Sequence, residues 1–464
     1  MNFCITTSQL IEILGARPLT QLEIENEKIA GITTDTRNLT PGNLFVALVG
    51  EKFDGHNFLE EAITKGAAAA IVSKQPSLRA RELPEIPLLL VEDTLKAYQA
   101  IARWWRDRFS LPIVAVTGSV GKTTTKELIA AVLGTKGPVL KTEANYNNEI
   151  GVPKTLLELS GEHQYAVVEM AMRGPGEIAL LTQIARPTVG VIVNVGTAHI
   201  GRLGSEEAIA QAKCELLAEM PKNSIAILNG DNGRLIETAA GVWSGETLTY
   251  GLESGHFRGE LIDARTIKIE GTELPLPLPG RHNAVNYLAA LAVFKVLMGN
   301  NLPGNSLWES LSKGLSVQLP EGRARRYELA NDIVVLDETY NAGLESTVAA
   351  LKLLAETPGK RHIAVLGTMK ELGEKSLDFH ERVGIVARDL KLDALFILAD
   401  FEEAKAMAKG AVGLPFLEIE DIESSECREK LAKSLKEFVQ PGDRLLFKAS
   451  HSVELNRVVE MFKN

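Results

Sequence analysis

The fold of the middle of the chain is decided by the stretch LPIVAVTGSVGKTT, residues 111–124. The apolar run 111–116 predicts a buried β-strand, and residues 122–133 follow the pattern of a helix. A glycine-containing loop joins the two. Backbone N–H groups in such a loop can point at an anion, and the following helix N-terminus adds a partial positive charge. The stretch therefore predicts a strand–loop–helix unit that binds phosphate.

The loop residues match the chemistry of a nucleotide phosphate site. A lysine here reaches the β- and γ-phosphates, and the next threonine binds Mg²⁺. The strict pattern places a glycine six residues before the lysine, where this chain has Val116, so the loop is a shortened variant. A glycine-rich turn with an exposed lysine is the alternative, but the flanking strand and helix favour phosphate binding. The expected contacts are Gly118, Ser119, Val120, Gly121, Lys122, Thr123 and Thr124.

Similar strands recur on both sides of a break near residues 318–322. The first series continues at 166–169, 189–195 and 224–228, and the second lies at 333–336, 363–366, 394–398 and 444–447. Strands that alternate with helices predict α/β domains with parallel sheets covered on both faces. A chain of 464 residues has room for about three domains. We predict domains at 1–93, 94–319 and 320–464.

Composition excludes several classes of function. The chain has 50 basic and 60 acidic residues, so its formal net charge of −10 argues against nucleic-acid or anionic-membrane binding. The 3 cysteines match no metal-binding spacing and are interpreted as reduced thiols. The N-terminal residues lack a signal-peptide pattern, and apolar runs fall short of the ~20 residues of a membrane span. We expect a cytoplasmic protein without membrane insertion.

Polar residues follow several predicted strands. Ligands bind beyond the carboxyl ends of strands in open α/β sheets, so two such edges predict a cleft shared by two domains. Glu169 ends a strand and is a hard oxygen ligand for Mg²⁺, although a lone carboxylate there is often only solvated. His199 is a second metal candidate, or a hydrogen-bonded loop residue. The other polar positions at these edges include Asn194, Asp337, Glu338 and Lys448.

Lys213 interrupts the apolar face of a predicted helix at residues 205–220. At 100° per residue it lies about 40° from Ile209, inside the apolar stripe. In one interpretation, the stem is buried and the amine reaches water. Alternatively, burial lowers the pKa of the amine, which as a neutral nucleophile forms a carbamate with CO₂ and becomes an anionic Mg²⁺ ligand. The pattern alone leaves both interpretations open.

Three asparagine-rich stretches, 145–148, 229–232 and 282–286, carry side chains that donate and accept hydrogen bonds. Such amides suit adenine, ribose or peptide groups, although each stretch alone is more often a turn or a cap. Asn283 and Asn286 lie one helical turn apart, so they are expected to share a face.

Together these motifs resemble the Mur ligases, the ATP-dependent amide ligases of peptidoglycan precursor synthesis, over nearly the whole chain. The loop 117–124 is similar to the family's ATP loop, and 147–153 to the loop after its first nucleotide-domain helix. The resemblance implies a central P-loop ATPase domain and a Rossmann-like C-terminal α/β domain. It implies nucleotide contacts from Asn283, Asn286 and Arg323. It also implies magnesium ligation by Thr123, Glu169, His199 and carbamylated Lys213.

The outer domains resemble the members that join D-alanyl-D-alanine to UDP-N-acetylmuramoyl-tripeptide. Residues 34–37 and 54–56 are similar to a uridine-nucleotide domain, whereas 337–342 and 369–373 are similar to the last domain of those members. The implied catalytic residues are Lys122, Lys213, His199 and Asp337. The implied substrate contacts are Thr34, Asp35, Thr36, Arg37, Asn147, Asn148, Tyr340, Asn341, Lys448 and Ser450. The implied partners are these two substrates, ATP and Mg²⁺, in a monomer.

The departures from the family pattern all lie in the last domain. They are Gly343, Leu344, Thr368, Ala449 and His451. They bear on the choice of amine, and the base that deprotonates it is left open among Asp337, Glu338 and His451. Two alternative functions also stay open: a Mur-type ligase that adds another amino acid, and a P-loop ATPase with a regulatory role.

Overall fold

The computed structural model describes residues 2–20, 28–75, 86–299 and 307–464. Within these ranges, no helix has the length and apolar character needed to cross a membrane. Three α/β units follow one another along the chain, each built on its own main sheet. The predicted three-domain α/β fold is therefore confirmed.

The first unit contains a small, mainly parallel sheet. Its elements are β1 (Ile5–Thr6), α1 (Thr7–Leu14), β2 (Arg17–Pro18), β3 (Lys28–Ile29), β4 (Gly31–Thr33), β5 (Asn43–Val46), α2 (Leu59–Thr64), β6 (Ala69–Val72) and β7 (Leu88–Leu90). The strand order is β2-β7-β6-β5-β4, and β1 pairs separately with β3. Strands β4 to β7 run parallel, whereas β2 is antiparallel to β7.

Helix α3 (Thr94–Arg106) joins the first unit to the second. The Trp105 indole donates a hydrogen bond to the Leu159 carbonyl at 3.0 Å. The Arg106 guanidinium donates to the Ala185 carbonyl at 2.7 Å. Residues of α3 belong to one apolar core that extends from the first sheet to one face of the central sheet. The first two units are therefore fused through a shared core.

The central unit is built on a nine-stranded sheet ordered 16-15-14-13-12-11-8-10-9. Its elements are β8 (Ile113–Thr117), α4 (Lys122–Gly134), β9 (Val139–Lys141), α5 (Gly151–Leu157), β10 (Tyr165–Glu169), α6 (Glu177–Ala185), β11 (Val189–Ile192), α7 (Ile200–Leu203), α8 (Glu206–Glu219), β12 (Ile225–Asn229), α9 (Gly233–Val242), β13 (Thr247–Gly251), β14 (Phe257–Asp263), β15 (Thr266–Ile269), β16 (Thr272–Pro275) and α10 (Arg281–Met298). Strands β8 to β14 pair in parallel.

Alternate residues of β8 enter different cores, as expected for a sheet covered on both faces. Ile113 and Ala115 join the core shared with α3, whereas Val114 and Val116 pack on the opposite face. The predicted strand and helix around the phosphate loop are confirmed. The antiparallel strands β15 and β16 extend the sheet beyond the predicted series.

The third unit has a six-stranded sheet ordered 17-18-22-19-20-21. Its elements are β17 (Arg325–Leu329), β18 (Ile333–Glu338), α11 (Leu344–Glu356), β19 (His362–Gly367), α12 (Ser376–Asp389), β20 (Ala394–Ala399), α13 (Phe401–Gly410), β21 (Leu417–Asp421), α14 (Cys427–Phe438), β22 (Arg444–Lys448) and α15 (Leu455–Lys463). Only the edge strand β17 pairs antiparallel among these strands. All four strands predicted for this region are confirmed.

Candidate active site

A cavity of about 540 Å³ lies between the central and third units. Its walls come from the phosphate loop, the carboxyl ends of β10, β11 and β18, and the start of α10. These are the strand edges at which the sequence analysis places a shared cleft. The wall includes Ser119, Val120, Gly121, Lys122, Thr123, Thr124, Asn147, Glu169, His199, Asn283, Asn286, Arg323, Tyr340, Asn341 and Lys448.

The phosphate loop is held by Asn194, which follows β11. The Ser119 N–H donates to the Asn194 carbonyl at 3.0 Å. The Val120 N–H donates to Asn194 Oδ1 at 3.0 Å, and Asn194 Nδ2 donates back to the Val120 carbonyl at 2.9 Å. Gly121 has φ 81°, and a Cβ there would lie 2.8 Å from Asn286 Oδ1. Only glycine fits position 121 without strain.

Lys122 is folded back along the loop. Its Nζ donates to the Gly118 carbonyl at 2.8 Å. Burial lowers the pKa of the Lys122 ammonium, and the nearby Glu169 carboxylate opposes that shift. Lys122 therefore lies near the Glu169 carboxylate in the cavity wall. A phosphate group bound beside the lysine would favour its charged form.

Glu169 is buried with only half of its carboxylate satisfied. Its Oε1 accepts a hydrogen bond from Asn147 Nδ2 at 2.8 Å. Its Oε2 is buried and has no hydrogen-bond partner among the described residues. A buried, unpartnered carboxylate oxygen is costly unless it binds a cation. Thr123, 2% exposed, lies in the same cavity wall. The donor set fits a hard divalent cation.

His199 lies at the start of α7 with φ 67°, in the left-handed region. Its Nδ1 is 2.6 Å from Oε2 of Glu371, a residue of the third unit. Burial and the charge of Lys122 lower the pKa of His199, whereas Glu371 raises it. A carboxylate on one ring nitrogen orients the imidazole and leaves Nε2 available to a ligand.

Lys213 is 1% exposed on α8, as the helix pattern predicts. Its amine has no hydrogen bond or ion pair to any of the described residues. Burial, and then the positive charge of Lys122, hold the pKa of Lys213 well below the ordinary lysine range. The structure thus places Lys213 inside the protein, on the apolar face of α8.

The third unit contributes an aromatic and cationic wall. The Arg323 guanidinium carbon lies 4.0 Å from the centroid of the Tyr340 ring, as in a cation–π contact. The rings of Tyr340 and His451 lie in an edge-to-face arrangement, with 5.8 Å between their centroids. Across the cavity, the Asn283 side chain donates to the Pro279 carbonyl at 2.7 Å. Lys213 is not among the residues that line this cavity.

A second cavity of about 900 Å³ adjoins the first and shares Arg323, Tyr340 and Asn341 with it. The predicted catalytic residue Asp337 lies in this second cavity. Its Oδ1 accepts from the Thr339 hydroxyl at 2.6 Å. Burial raises the pKa of Asp337, and the bonds from Thr339 oppose the shift. Asp337 is thus separated from the phosphate loop by the shared wall.

Lys448 contacts two other residues of the third unit that line the first cavity, Asn341 and Glu338. Its buried Nζ donates to the Asn341 carbonyl at 2.9 Å and lies 3.7 Å from Glu338 Oε2. Burial lowers the pKa of Lys448, whereas Glu338 raises it.

Several predicted substrate residues do not line either of these two cavities. Arg37 is exposed and pairs with Asp35 at 2.7 Å in the first unit. Asn148 Oδ1 accepts from the Gly151 N–H at 2.9 Å, at the start of α5. Ser450 Oγ accepts from the Lys370 N–H at 2.9 Å. The other members of this set are Thr34 and Thr36.

The structure brings further residues to the site, and three of them carry ionisable side chains that the sequence analysis did not assign to it. Glu345 and His282 line the first cavity, and Glu371 contacts His199. Burial lowers the pKa of His282, whereas Glu338 raises it. His282 was signalled by the asparagine-rich stretch at the start of α10. No local pattern marks Glu345, which comes from another domain. Glu371 lies in the stretch 369–373, which the sequence analysis compared with the family but did not assign to the site.

Known families cover all three units. The Mur ligase family catalytic domain matches residues 28–105, the Mur ligase middle domain matches 116–294, and the Mur ligase glutamate ligase domain matches 322–451. The chain belongs to the Mur ligase family, and the resemblance seen in the sequence is confirmed.

Within the family, the chain is similar to UDP-N-acetylmuramoyl-tripeptide–D-alanyl-D-alanine ligases. That of Synechocystis sp. is 57% identical, with 94% of this chain and 92% of the relative covered. That of Escherichia coli is 36% identical, with 88% of each covered. The crystal structure of MurF from Acinetobacter baumannii has a TM-score of 0.87 at 30% identity and covers 100% of this chain and 99% of its own. The MurF ligase of Thermotoga maritima, solved with ADP, has a TM-score of 0.80 at 32% identity over 93% and 96%.

Proposed function

We propose that the chain is an ATP-dependent ligase that joins D-alanyl-D-alanine to UDP-N-acetylmuramoyl-tripeptide and forms an amide bond in peptidoglycan synthesis. The observation that carries this proposal is the first cavity, in which a phosphate loop faces residues of the third unit. The similarity to ligases of this name along nearly the whole chain supports the choice of substrates. ADP and phosphate are the other products.

The charges in the cavity account for the first step. A carboxylate is a poor electrophile, so the terminal carboxylate of the tripeptide attacks the γ-phosphorus of ATP and becomes an acyl phosphate. Backbone N–H groups of the phosphate loop and the Lys122 ammonium offset the negative charge that develops on the phosphoryl oxygens. Asn283, Asn286 and Arg323 are proposed to hold the rest of the nucleotide.

Thr123, Glu169, His199 and Lys213 are proposed to hold Mg²⁺, which would supply charge neutralisation at the phosphates. The unpartnered Glu169 Oε2 supports this assignment. Lys213 joins the set only as its carbamate, and its buried amine with a lowered pKa supports that modification.

In the second step, the amine of the dipeptide attacks the acyl carbon, and phosphate leaves with the electrons of the broken C–O bond. The attacking amine must lose a proton, and Asp337, Glu338 and His451 are the candidate acceptors. Asp337 has a raised pKa, which suits proton acceptance. Tyr340, Asn341, Lys448 and Ser450 are proposed substrate contacts of the third unit. Contact between the two units excludes water from the acyl phosphate.

The proposed domains are 1–93 for the UDP-sugar, 94–319 for ATP and 320–464 for the incoming amine. Thr34, Asp35, Thr36 and Arg37 are proposed to bind the uridine nucleotide, with Asn147 and Asn148 at the start of the path from it. A cytoplasmic monomer is proposed, and the three free thiols are consistent with a reducing compartment.

The test is phosphate release from ATP with each substrate alone and with both together, combined with the product mass. Release that requires both substrates, and a product equal to their sum minus water, is expected. Phosphate release with a different amine would show that this amine, and not D-alanyl-D-alanine, is the substrate. Other amines are tested because the third unit departs from the family pattern at Gly343, Leu344, Thr368, Ala449 and His451. Slow release that is independent of both substrates, with no covalent product, would favour the regulatory ATPase.

A further inference from the structure

Lys126 is 0% exposed inside α4, one helical turn after Lys122. Its Nζ donates a hydrogen bond to the Thr142 carbonyl at 2.6 Å. It also lies 2.8 Å from Oε1 of Glu127, whose Oε2 pairs with the half-buried Lys141 at 2.7 Å. A buried ammonium is tolerated only when it is paired and hydrogen-bonded, and these contacts satisfy that need.

Thr142 is the point at which this network meets Glu169. It follows β9, and its N–H donates to the Val167 carbonyl of β10 at 3.0 Å. Its hydroxyl oxygen accepts a hydrogen bond from the Glu169 N–H at 2.9 Å. Lys126 therefore binds the carbonyl of Thr142, and the hydroxyl of Thr142 binds the backbone N–H of Glu169.

The same segment also fixes the carboxylate. From Thr142 the chain runs into the loop that carries Asn147, whose Nδ2 donates to Glu169 Oε1 at 2.8 Å. The Asn147 carbonyl accepts from the Ala171 N–H at 2.9 Å, which ties the loop to the residues after β10. The orientation that leaves Glu169 Oε2 unpartnered is therefore set from the backbone and from the side chain.

We propose that Lys126 and Thr142 are positioning residues that hold Glu169 in the orientation that binds the divalent cation. Neither residue lines the first cavity, so neither touches the cation or the nucleotide. Lys126 acts through the Thr142 carbonyl, and Thr142 acts through the Glu169 N–H. We call these two hydrogen bonds, from Lys126 to the Thr142 carbonyl and from the Glu169 N–H to the Thr142 hydroxyl, the clamp. Because α4 begins at the phosphate loop, the clamp also fixes the distance between that loop and Glu169. The inference rests on the proposed function in one respect, the assignment of Glu169 as a metal ligand.

The experiment measures Mn²⁺ binding to the full chain saturated with ADP, by electron paramagnetic resonance. Lys126→Met removes the donor and leaves Glu127 paired with Lys141. Thr142→Val removes the oxygen that accepts from Glu169. Lys141→Met is the matched control, because it removes an ion pair of the same network and leaves both clamp bonds intact. Thr142→Ser keeps the hydroxyl and should restore binding.

Outer-sphere hydrogen bonds to metal ligands are worth roughly 10- to 100-fold in metal affinity. We expect Lys126→Met and Thr142→Val to raise the Mn²⁺ dissociation constant by about 10-fold or more, with Lys141→Met and Thr142→Ser close to the unchanged chain. Circular dichroism would check that each variant is folded. If Lys126→Met does not fold, the comparison of Mn²⁺ binding by Thr142→Val and Thr142→Ser tests the proposal. Equal binding by the valine and serine variants, or an equal loss in Lys141→Met, would overturn the proposal.

This measurement uses neither ligase substrate. A chain that binds Mn²⁺ but forms no amide product would overturn the proposed function and leave the clamp standing. An unchanged chain that binds no Mn²⁺ in the presence of ADP would overturn the clamp itself.

Discussion

Glu345 of the third unit accepts two hydrogen bonds from Thr197 of the central unit. The Thr197 N–H lies 2.8 Å from Oε1, and the Thr197 hydroxyl lies 3.0 Å from Oε2. The preceding residue, Gly196, donates its N–H to Ser119 Oγ in the phosphate loop at 2.9 Å. A Cβ at Gly196 would lie 2.7 Å from Glu345 Oε1, so a glycine is needed for this approach. One carboxylate thereby joins the first turn of α11 to the segment that supports the phosphate loop.

Replacement of Glu345 by alanine is expected to uncouple ATP use from amide formation. Hydrogen bonds to a charged group are worth about 1.5–3 kcal/mol each, so their loss should open the cavity to water more often. Water would then consume part of the acyl phosphate. We expect phosphate release to exceed product formation, measured as the ratio of the two in one assay. The exposed Glu356→Ala, at the other end of α11, should keep the ratio of the unchanged chain, and an unchanged ratio in Glu345→Ala would refute the coupling role.

Lys122→Met should reduce ATP turnover by roughly 10²- to 10³-fold, the usual effect of losing one donor to a developing anion. The cause is the loss of the ammonium beside the phosphates, while the glycine backbone of the loop remains. Turnover is measured as phosphate release at saturating substrates. The control is Lys136→Met, because Lys136 lies just after the C-terminal end of α4. If both variants reduce turnover only slightly and to a similar extent, Lys122 has no role in the chemistry.

Lys213 is expected to carry a carbamate, because its buried amine has a pKa well below the ordinary lysine range. In ¹³C-bicarbonate, the unchanged chain should show a carbamate resonance that Lys213→Met lacks. The same variant should lose on the order of 100-fold in ligation, like the loss of one charge-stabilising group. Lys222→Met, on the surface, should keep both the resonance and the activity. A ligation rate that does not change in Lys213→Met would remove the residue from the mechanism.

The stability of the third unit should fall in mild acid because of His380. This side chain is 0% exposed, accepts from the Met369 N–H through Nε2 at 2.9 Å, and contacts the Ser376 carbonyl through Nδ1 at 2.7 Å. Burial lowers the pKa of His380. The unfolded chain then binds more protons than the folded chain as the pH falls through about 6.5, so the free energy of unfolding decreases there.

Denaturant titrations between about pH 8 and about pH 5 would measure how the free energy of unfolding changes with pH, because this range spans the ordinary histidine pKa. His380→Gln keeps an amide near the same partners and should flatten the curve. The exposed His256 has no role in the core and His256→Gln should leave the slope as it is. An identical slope in the His380 variant would assign the acid sensitivity to other groups.

Trp105→Ala should destabilise the protein by about 3–5 kcal/mol, the range for removal of a buried tryptophan. Trp105 is 1% exposed in the core shared by the first two units, and its indole donates to the Leu159 carbonyl. Because the core is shared, we expect both units to unfold in one transition at a lower midpoint. Calorimetry that showed only the first unit affected would contradict the shared core.

The parts of the site that are local in sequence were predictable. The phosphate loop combines strand, glycines and helix within residues 111–134, and the helical period places Lys213 on the apolar face of α8. Contacts between domains were not predictable, because the partners of Thr197 and His199 lie 148 and 172 residues away in the chain. The strands β15 and β16 were missed because they form an antiparallel extension of a parallel sheet.

The interface between the first and central units differs from the interface between the central and third units, and this difference affects how the units move. The first two units share an apolar core that includes Trp105, whereas the third unit meets the central one through carboxylates such as Glu345 and Glu371. Parting an apolar core exposes hydrocarbon to water, but parted carboxylates and amides regain water as hydrogen-bond partners. We therefore expect the first two units to move together as one body relative to the third unit.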